Sequence, residues 1–483
     1  MVASEVAPFA KTGGLADVAG ALSKHLHGAG HDLRLFMPLY SRIDRRSLEI
    51  ERVSQLQDVP LEFNSHRYQY SLWSARLPDS DARCYMIDCP ALYGREAVYS
   101  QDVDEHLRFL ALTRATIECC QRMAWSPQIF HCNDWHTAFG PLLLKSVYSW
   151  DQLFSATRSL ITIHNIGYQG IFGAALAADV GLGNQQYLLH QDDLAAGRVN
   201  SLKHGLMYAD AISTVSPTYA KEILSEPLGM GLSDTLRSRA DALSGILNGV
   251  DYDDWDPRWD RYLTHNFGVY ELDVKAQLKN ELLQRLGLKA LTGTPLLGIV
   301  SRLTSQKGFD LLFDRLPALL AQRDACVVVL GSGDKSYENF FAHLQHQFPN
   351  RVVFHRGYSE ALAHWIEAAS DMFVMPSLYE PCGLNQMYSL RYGTIPIVRR
   401  TGGLADSVQL YDPATGTGDG IVFDKFDADA MAWALHTALD LYAQPQHWRR
   451  MVRNAMAQDY SWEKQGALYV QLYERMLRQR QHL

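Results

Sequence analysis

The sequence has few of the features that mark secreted or membrane proteins. Its seven cysteines show no C-x-x-C spacing and are odd in number, which favours free thiols in a reducing cytosol over a disulfide framework. No stretch approaches the ~18 apolar residues of a membrane span. The start lacks a basic segment followed by a long apolar one, so no signal peptide is predicted. We expect a cytoplasmic protein without a membrane partner.

An excess of basic charge is also missing. Lys and Arg number 45 against 53 Asp and Glu, a formal net charge of −8, which argues against a nucleic-acid partner. Local cations must therefore hold any anionic ligand. There is no low-complexity linker and no solenoid repeat. The length of 483 residues exceeds a single ordinary core, so two domains are expected.

What the sequence does contain is a regular alternation of strand-like and helix-like segments. It restarts after about residue 245, and it predicts an α/β fold with two doubly wound, mostly parallel sheets. Such sheets bind ligands at the carboxyl ends of their strands, here in a cleft between the two domains. The predicted strands are 33–37, 68–73, 83–87, 128–132, 160–163, 211–215, 244–251, 296–300, 326–330, 352–354, 372–375 and 395–398, and the main predicted helices are 105–124, 138–147, 201–208, 309–320, 433–441, 448–456 and 462–478.

A glycine pair opens the first helix. Gly13 and Gly14 follow Lys11 and precede apolar residues at helical spacing, so their backbone N–H groups can approach an anion closely. The same residues recur as Thr401–Asp406, preceded by Arg400. The pair of turns suggests an anionic ligand held from both halves, although a Gly-Gly pair is also an ordinary turn. The second copy follows a later strand, so it does not indicate a duplication.

Charged residues lie in two further loops, each of which follows a predicted strand. Arg302 and Lys307 lie between a predicted strand and a helix, where both cations can converge on a diphosphate. The alternative is that they are two solvated loop cations. Walker-loop spacing is absent. Glu380 follows strand 372–375 and could hold sugar hydroxyls, while the N–H groups of Gly383 and Leu384 face a phosphate. The alternative for Glu380 is a helix cap.

Histidines and aspartates in the first half are less specific. His164 and Asn165 end a strand and would face the cleft, although a single histidine is more often structural. Asp134 and His136 are interpreted as polar groups lining the cleft, because no third metal ligand accompanies them. The 102–104 segment has the D-x-D pattern of metal-dependent sugar transferases, but this tripeptide is common by chance. We expect no metal site.

Together these motifs resemble the ADP-glucose-dependent glycogen and starch synthase family. The resemblance runs nearly from end to end and implies a GT-B fold, with domains at 1–243 and 244–457 and a final helix, 458–483, that crosses back to the first domain. It rests on the segments 11–17, 133–136, 164–170, 215–220, 247–251, 301–308, 380–384 and 399–406.

The resemblance implies a retaining transfer of glucose from ADP-glucose to the non-reducing 4-hydroxyl of an α-1,4-glucan, with no cofactor. Arg302 and Lys307 would neutralise the departing diphosphate, and Glu380 would bind glucose hydroxyls. His164 would give polar support under the anomeric carbon. The implied substrate-binding residues are Lys11, Gly13, Gly14, Asp17, Tyr93 (a cleft ring), Asp134, Asn165, Asn248, Tyr358 (stacking on adenine), Cys382, Gly383 and Leu384.

Two departures from the family pattern stand out. Many related retaining transferases carry a second Glu eight residues after the first, and here that position is Tyr388. The Lys11 loop also lies very close to the start of the chain, so we expect a short first strand. The alternatives are a UDP-glucose-using transferase with another acceptor and a catalytically silent glucan-binding protein. No second carboxylate is suitably placed as a nucleophile, which favours front-face displacement.

Overall fold

The computed structural model describes residues 1–289 and 293–478, and it divides into two compact units. Unit 1 is Met1–Gly249 together with the segment that starts at Trp462, and unit 2 is Val250–Ser461. Both boundaries lie a few residues beyond those expected from the sequence. The predicted strand 244–251 is wrong, because the strand there is only Leu243–Gly245 and pairs with a strand of unit 1. Among the helices of the described residues, none is long and apolar enough to cross a membrane. All seven cysteines are buried and free.

Unit 1 is built on a twisted sheet whose strands are parallel except at one edge. The order is β11-β10-β7-β6 on one side and β1-β5-β4-β2 on the other, with β3 also paired to β4. The pairs that β4 makes are antiparallel, and β8 and β9 form a separate ribbon. The strands are β1 (Arg34–Pro38), β2 (Glu51–Arg52), β3 (Val59–Phe63), β4 (His66–Arg76), β5 (Arg83–Asp88), β6 (Ile129–Asn133), β7 (Arg158–Ile163), β8 (Ile171–Gly173), β9 (Arg198–Asn200), β10 (Ala211–Thr214) and β11 (Leu243–Gly245).

A single residue joins the two halves of this sheet. Val2 makes parallel bridges to Phe36 in β1 and to Cys132 in β6. Its N–H donates to the carbonyl of His131 at 2.9 Å, and the N–H of Ala3 donates to the carbonyl of Phe36 at 3.0 Å. The expected short first strand is therefore reduced to one bridging residue. The sheet changes winding direction here, which brings the loops that follow Val2 and β6 to its carboxyl edge.

The helices of unit 1 cover both faces of the sheet. The first runs over Gly14–Gly28 because Leu15, Val18, Leu22 and Leu26 recur at helical spacing and are all buried. The helices are α1 (Gly14–Gly28), α2 (Pro90–Tyr93), α3 (Glu105–Arg122), α4 (Asp134–Thr137), α5 (Gly140–Lys145), α6 (Gln191–Ala195), α7 (Ser201–Tyr208), α8 (Pro217–Glu222) and α9 (Ser233–Arg237), with 3₁₀ turns at Gln152–Phe154, Ala174–Val180, Gly183–Leu188 and Ala240–Ala242.

Unit 2 contains a six-stranded sheet in which every neighbouring pair is parallel. The order β14-β13-β12-β15-β16-β17 is that of a doubly wound sheet, with its change of direction between β12 and β15. The fold class predicted from the alternating pattern is confirmed. The strands are β12 (Leu296–Leu303), β13 (Cys326–Gly333), β14 (Val352–Arg356), β15 (Met372–Met375), β16 (Ile395–Arg399) and β17 (Ile421–Phe423).

One predicted helix of unit 2 is wrong. The segment 309–320 is divided into a 3₁₀ turn at Phe309–Leu312 and a helix that begins at Arg315. Pro317 lies in the first turn of that helix, where its missing N–H is tolerated, whereas in the interior of a longer helix it would lose a hydrogen bond and clash. The helices are α10 (Leu272–Arg285), α11 (Arg315–Gln322), α12 (Lys335–Gln347), α13 (Glu360–Ala369), α14 (Asn385–Tyr392), α15 (Gly402–Ser407), α16 (Ala428–Tyr442) and α17 (Pro445–Met456), with a further 3₁₀ turn at Ser305–Lys307.

The last described helix, α18 (Trp462–Arg478), returns to unit 1 and packs on α1. Tyr469 and Leu472 are buried with Leu22 and Leu26 in one apolar cluster. A Cβ added at Gly466 would lie 2.2 Å from the His25 ring, so the two helices approach closely.

Candidate active site

The direction change in the sheet of unit 2 brings two loops together. One follows β12 and contains Lys307, and the other follows β15 and contains Glu380. Because β12 and β15 are neighbours, their carboxyl ends open on the same crevice, which is where doubly wound sheets bind ligands.

Lys307 and Glu380 form an ion pair in this crevice. The Lys307 Nζ lies 2.7 Å from the Glu380 Oε2, and their side chains are 17% and 7% exposed. The same Glu380 oxygen accepts a hydrogen bond from the Ser377 hydroxyl at 2.9 Å. The Glu380 carboxylate thus bonds to a lysine and a serine, and it does not cap the helix that follows.

The two loops are fastened to each other through their backbones. The Leu378 N–H donates to the carbonyl of Gln306 at 2.9 Å. Gly308 has φ +67°, and a Cβ there would lie 2.1 Å from the carbonyl oxygen of Pro376. Only glycine fits this approach, which fixes the position of Lys307 beside Glu380.

The second glycine pair lies directly behind Glu380. Gly402 has φ +44°, and an added Cβ would lie 1.9 Å from the Glu380 carbonyl oxygen; at Gly403 it would lie 2.0 Å from that of Cys382. The Gly403 N–H donates to the Glu380 carbonyl at 3.1 Å. These buried glycines hold the backbone of the 380–382 segment. The expectation that this turn also holds an anion stays a prediction.

The other predicted residues of unit 2 lie around the same sheet edge. Arg302 is exposed near the end of β12. Cys382 is buried, Gly383 has φ +72°, and Leu384 is the N-cap residue of α14, where no side chain caps the helix. Tyr358 is 62% exposed and follows β14, two strands from β12.

In unit 1 the first glycine turn is held by an acidic side chain. The Glu5 Oε2 accepts hydrogen bonds from the backbone N–H of Thr12 at 2.5 Å and from its hydroxyl at 2.7 Å. Burial raises the pKa of Glu5 to about 7. Gly13 is the N-cap residue of α1, Gly14 is its first residue, and Lys11 lies 2.9 Å from the Asp17 carboxylate.

Asp134 and His164 meet at the ends of β6 and β7. The Asp134 Oδ1 accepts the backbone N–H of His164 at 2.7 Å, and the His164 Nε2 lies 2.9 Å from the Asn133 Oδ1. Asp134 has φ +54°, an uncommon conformation that turns its carboxylate toward β7. Burial raises the pKa of Asp134 to about 7, and desolvation lowers that of His164 to about 3, so its imidazole is neutral at neutral pH.

The two asparagines differ in their surroundings. The Asn165 Oδ1 accepts the Gly167 N–H at 3.0 Å. Asn248 is 5% exposed, and its buried Oδ1 has no hydrogen-bond partner among residues 1–289 and 293–478. A buried acceptor of this kind suits a ligand hydroxyl.

Tyr93 is a correction to the predicted site. Its side chain is 1% exposed, its hydroxyl donates to the carbonyl of Arg108 at 2.7 Å, and its ring meets the edge of Tyr40 at 6.0 Å between centroids. It is a core residue of unit 1, so it does not present a ring to a substrate.

The carboxylates of the D-x-D tripeptide are paired with protein. Asp102 lies 2.8 Å from a guanidinium nitrogen of Arg95, and Asp104 bonds the other one. His136 packs against aromatic rings, including that of Tyr99 at 4.8 Å. These groups form part of the unit 1 framework.

Sequence reasoning gave no role to Glu5, Asn133 and Ser377, and it did not foresee that Gly402 and Gly403 support the 380–382 segment. A signal existed for the glycines, which repeat the earlier turn, and for Asn133, which lies in the quoted segment 133–136. Glu5 and Ser377 match no motif, although their hydrogen-bond partners Thr12 and Glu380 lie only seven and three residues away.

Comparisons with known proteins agree with this geometry. A family model described as starch synthase catalytic domain matches residues 1–238, and one described as glycosyl transferases group 1 matches residues 285–456. These matches and the two doubly wound units define a glycosyltransferase of the GT-B fold.

Individual relatives narrow the assignment. The chain is 42% identical to the glycogen synthase of Koribacter versatilis, over 98% of this chain and 97% of that protein, and 41% identical to that of Thermotoga maritima, over 99% and 98%. It superposes with TM-score 0.91 and 33% identity on the catalytic domain of Starch Synthase IV from Arabidopsis thaliana bound to ADP and acarbose, over 99% of this chain and 98% of that one. The chain belongs to the bacterial glycogen synthase family, and it is an enzyme of glucosyl transfer in glycogen synthesis. The family, fold and activity predicted from the motifs are confirmed.

Proposed function

We propose that this enzyme transfers glucose from ADP-glucose to the non-reducing 4-hydroxyl of an α-1,4-glucan with retention at the anomeric carbon. The observation that carries the proposal is the Lys307–Glu380 pair at the direction change of the unit 2 sheet. ADP as the nucleotide is supported by the Arabidopsis starch synthase, which has ADP bound and is 33% identical to this chain.

The residues of unit 2 match the charge that develops on the donor. Breaking a glycosyl phosphate leaves negative charge on the diphosphate, which Arg302 and Lys307 would neutralise. An ammonium group has three N–H donors, so Lys307 can bond phosphate while one donor stays on Glu380. The uncapped backbone at the start of α14, with Gly383 and Leu384, would add N–H donors. Cys382 would line the sugar pocket, and Tyr358 would stack on adenine.

Glu380 suits the binding of sugar hydroxyls better than nucleophilic attack. Its carboxylate already accepts hydrogen bonds from Lys307 and Ser377, which stabilise its negative charge. We therefore favour front-face displacement. In this reaction the bond from C1 to the phosphate oxygen breaks, the bond from C1 to the acceptor O4 forms, and the acceptor proton passes to the departing phosphate.

The loops of unit 1 would serve the same reaction. With its lowered pKa, His164 stays neutral and adds no positive charge to oppose the cationic sugar ring of the transition state. Asp134 holds the chain at His164, and Asn165 and Asn248 would bind sugar hydroxyls. Lys11, Gly13, Gly14 and Asp17 would contact the donor.

We also propose that the transfer step uses no cofactor and takes place in the cytoplasm. Arg302 and Lys307 supply the charge that a divalent ion supplies in other transferases, so turnover should survive excess EDTA. The seven free, buried cysteines are consistent with a reducing compartment.

The direct test incubates the protein with glycogen and either ADP-glucose or UDP-glucose and measures nucleoside diphosphate release. We expect faster release from ADP-glucose, and a fall in kcat of about a hundredfold or more in Glu380→Gln. The matched control is Asp273→Asn, an exposed carboxylate on α10, which should keep wild-type kcat. A Glu380→Gln variant with wild-type kcat would exclude the assigned role, and preferential release from UDP-glucose would exclude the assigned donor.

A further inference from the structure

A cluster of side chains in unit 2 has no part in the proposed reaction. Asp254, Glu360 and His364 each offer one ligand atom, and these atoms all lie within 4.8 Å of one another. Glu360 and His364 are one turn apart on α13, and Asp254 comes from the segment before α10.

The imidazole of His364 is arranged as a metal ligand would be. Its Nδ1 lies 2.8 Å from the Oδ2 of Asp260. The side chain is 0% exposed, yet its Nε2 has no hydrogen-bond partner among residues 1–289 and 293–478. That nitrogen points at the cluster, 3.9 Å from the Glu360 Oε1. Histidines that bind metals almost always bond their other ring nitrogen to a carboxylate or carbonyl in this way.

Aromatic rings fix the plane of this imidazole. Trp255 stacks on it with centroids 3.7 Å apart and planes 14° apart, and Tyr262 lies 4.5 Å from it. The other face of Trp255 stacks on Tyr388, which stands where many related transferases carry a second Glu. A ligand held this firmly loses little freedom when it binds an ion.

The local charge favours a cation. Three carboxylates, those of Asp254, Asp260 and Glu360, surround the imidazole, and Arg261 lies 3.4 Å from Asp254 but is 73% exposed. The Tyr358 hydroxyl donates to the Glu360 Oε2, which leaves Oε1 facing His364.

We propose that Asp254, Glu360 and His364 bind one divalent transition-metal ion of the zinc class, with Asp260 orienting the imidazole. One imidazole nitrogen and two carboxylates suit Zn²⁺ or Co²⁺ better than Mg²⁺ or Ca²⁺, which prefer oxygen ligands alone. Three protein ligands are also typical of zinc sites that keep a further position for water. The ion would join the 254–262 segment to α13, apart from the Lys307–Glu380 pair.

The test measures zinc binding to the full chain after removal of metals with a chelator. Equilibrium dialysis against ZnCl₂ is compared for wild type, Asp254→Asn, Glu360→Gln and the control His343→Gln, an exposed histidine on α12. The two carboxylate variants retain side-chain shape and leave the stacked imidazole in place. Circular dichroism checks the fold of each variant, and CoCl₂ provides a second readout through the visible absorption of cobalt bound to nitrogen.

We expect wild type and His343→Gln to bind one more zinc ion per chain than the carboxylate variants, or to bind it at least about tenfold more tightly. Cobalt absorption should fall in the same two variants. Equal binding curves for wild type and both carboxylate variants would overturn the proposal. If His364 is protonated, its positive charge already balances the carboxylates and zinc does not bind here in any of the four proteins. The binding curves would then be equal, and this outcome would also overturn the proposal.

Discussion

The segments Thr12–Asp17 and Thr401–Asp406 are identical in sequence, but their surroundings differ. In the first copy Thr12 and Gly14 are exposed, and a Cβ added at Gly13 would meet only the Glu5 carboxylate, at 3.6 Å. In the second copy both glycines are buried, and an added Cβ would lie within 2.0 Å of a carbonyl oxygen.

The difference shows that these six residues do not determine the conformation of the turn by themselves. Gly13 is an extended N-cap residue with φ −154°, whereas its counterpart Gly402 has φ +44° and is the first residue of α15. In unit 1 the donor groups of the turn bond a side chain, Glu5, and the turn stays at the surface. In unit 2 the Gly403 N–H bonds the backbone of Glu380, and the turn becomes the support of the active-site segment. Substitutions at the two copies should therefore have very different effects.

The largest effect is expected from Gly403→Ala. Its Cβ cannot fit 2.0 Å from the Cys382 carbonyl, so the 380–382 segment must move. We expect a loss of about 3 kcal/mol or more in the free energy of unfolding and a fall of about a hundredfold in kcat. Urea unfolding and initial rates measure both quantities. Gly13→Ala in the first copy is the control; its Cβ would meet only the Glu5 carboxylate at 3.6 Å, so it should lose less than about 1 kcal/mol. Equal losses in the two variants would show that the two copies do not differ in this way.

The second-largest effect is expected from Lys307→Gln. It leaves the Glu380 carboxylate buried without its cation, which should cost about 3 kcal/mol, and it should lower kcat and donor affinity. The double variant Lys307→Gln/Glu380→Gln removes both charges. It should regain most of the stability in urea unfolding while staying inactive, and a double variant as unstable as the single one would show that the pair is not coupled.

Glu5→Gln should change how stability depends on pH. The pKa of Glu5 is raised to about 7, above its unfolded value, so its contribution is fully present at low pH and is lost as pH rises through about 7. Relative to the variant, wild type should lose about 2–3 kcal/mol between about pH 5 and pH 8. Thermal midpoints of both proteins across that range provide the measurement. Parallel curves would show that Glu5 is ionised throughout.

The smallest effect on stability is expected from Lys11→Gln. Its ion pair with Asp17 lies at the surface, with side chains 36% and 29% exposed, so stability should change by less than about 1 kcal/mol. If Lys11 contacts the donor, the KM for ADP-glucose should rise all the same. Unchanged kinetics would limit the donor site to unit 2.

The fold could be predicted where the packing on all sides of a segment requires the same type of residue. The run Cys326–Leu330 lies in a strand with parallel neighbours on both sides and is wholly buried. Its apolar character was therefore enough to predict a central strand. The turn at the start of α1 was equally clear, because the glycine pair and the helical spacing of the buried residues after it both place the start of the helix there. The helix predicted over 309–320 was wrong because Pro317 fits only the first turn of a helix, although the apolar pattern runs through the whole segment.

The site was predictable only in part. Lys307 and Glu380 were both expected at strand ends, but they are 73 residues apart, and their contact depends on the pairing of β12 with β15. Tyr93 was assigned wrongly because burial of a single ring depends on the tertiary packing of Tyr40 and Arg108 around it. Glu5 had no sequence signal for the same reason.

The return of α18 to α1 has a consequence for synthesis on the ribosome. Leu22 and Leu26 emerge early, whereas Tyr469 and Leu472, which bury them, emerge only after all of unit 2 has been made. An apolar stripe on α1 thus stays uncovered while more than two hundred residues are translated, as Val250–Ser461 all lie in between. The nascent chain must keep that stripe from aggregating until its partner helix arrives.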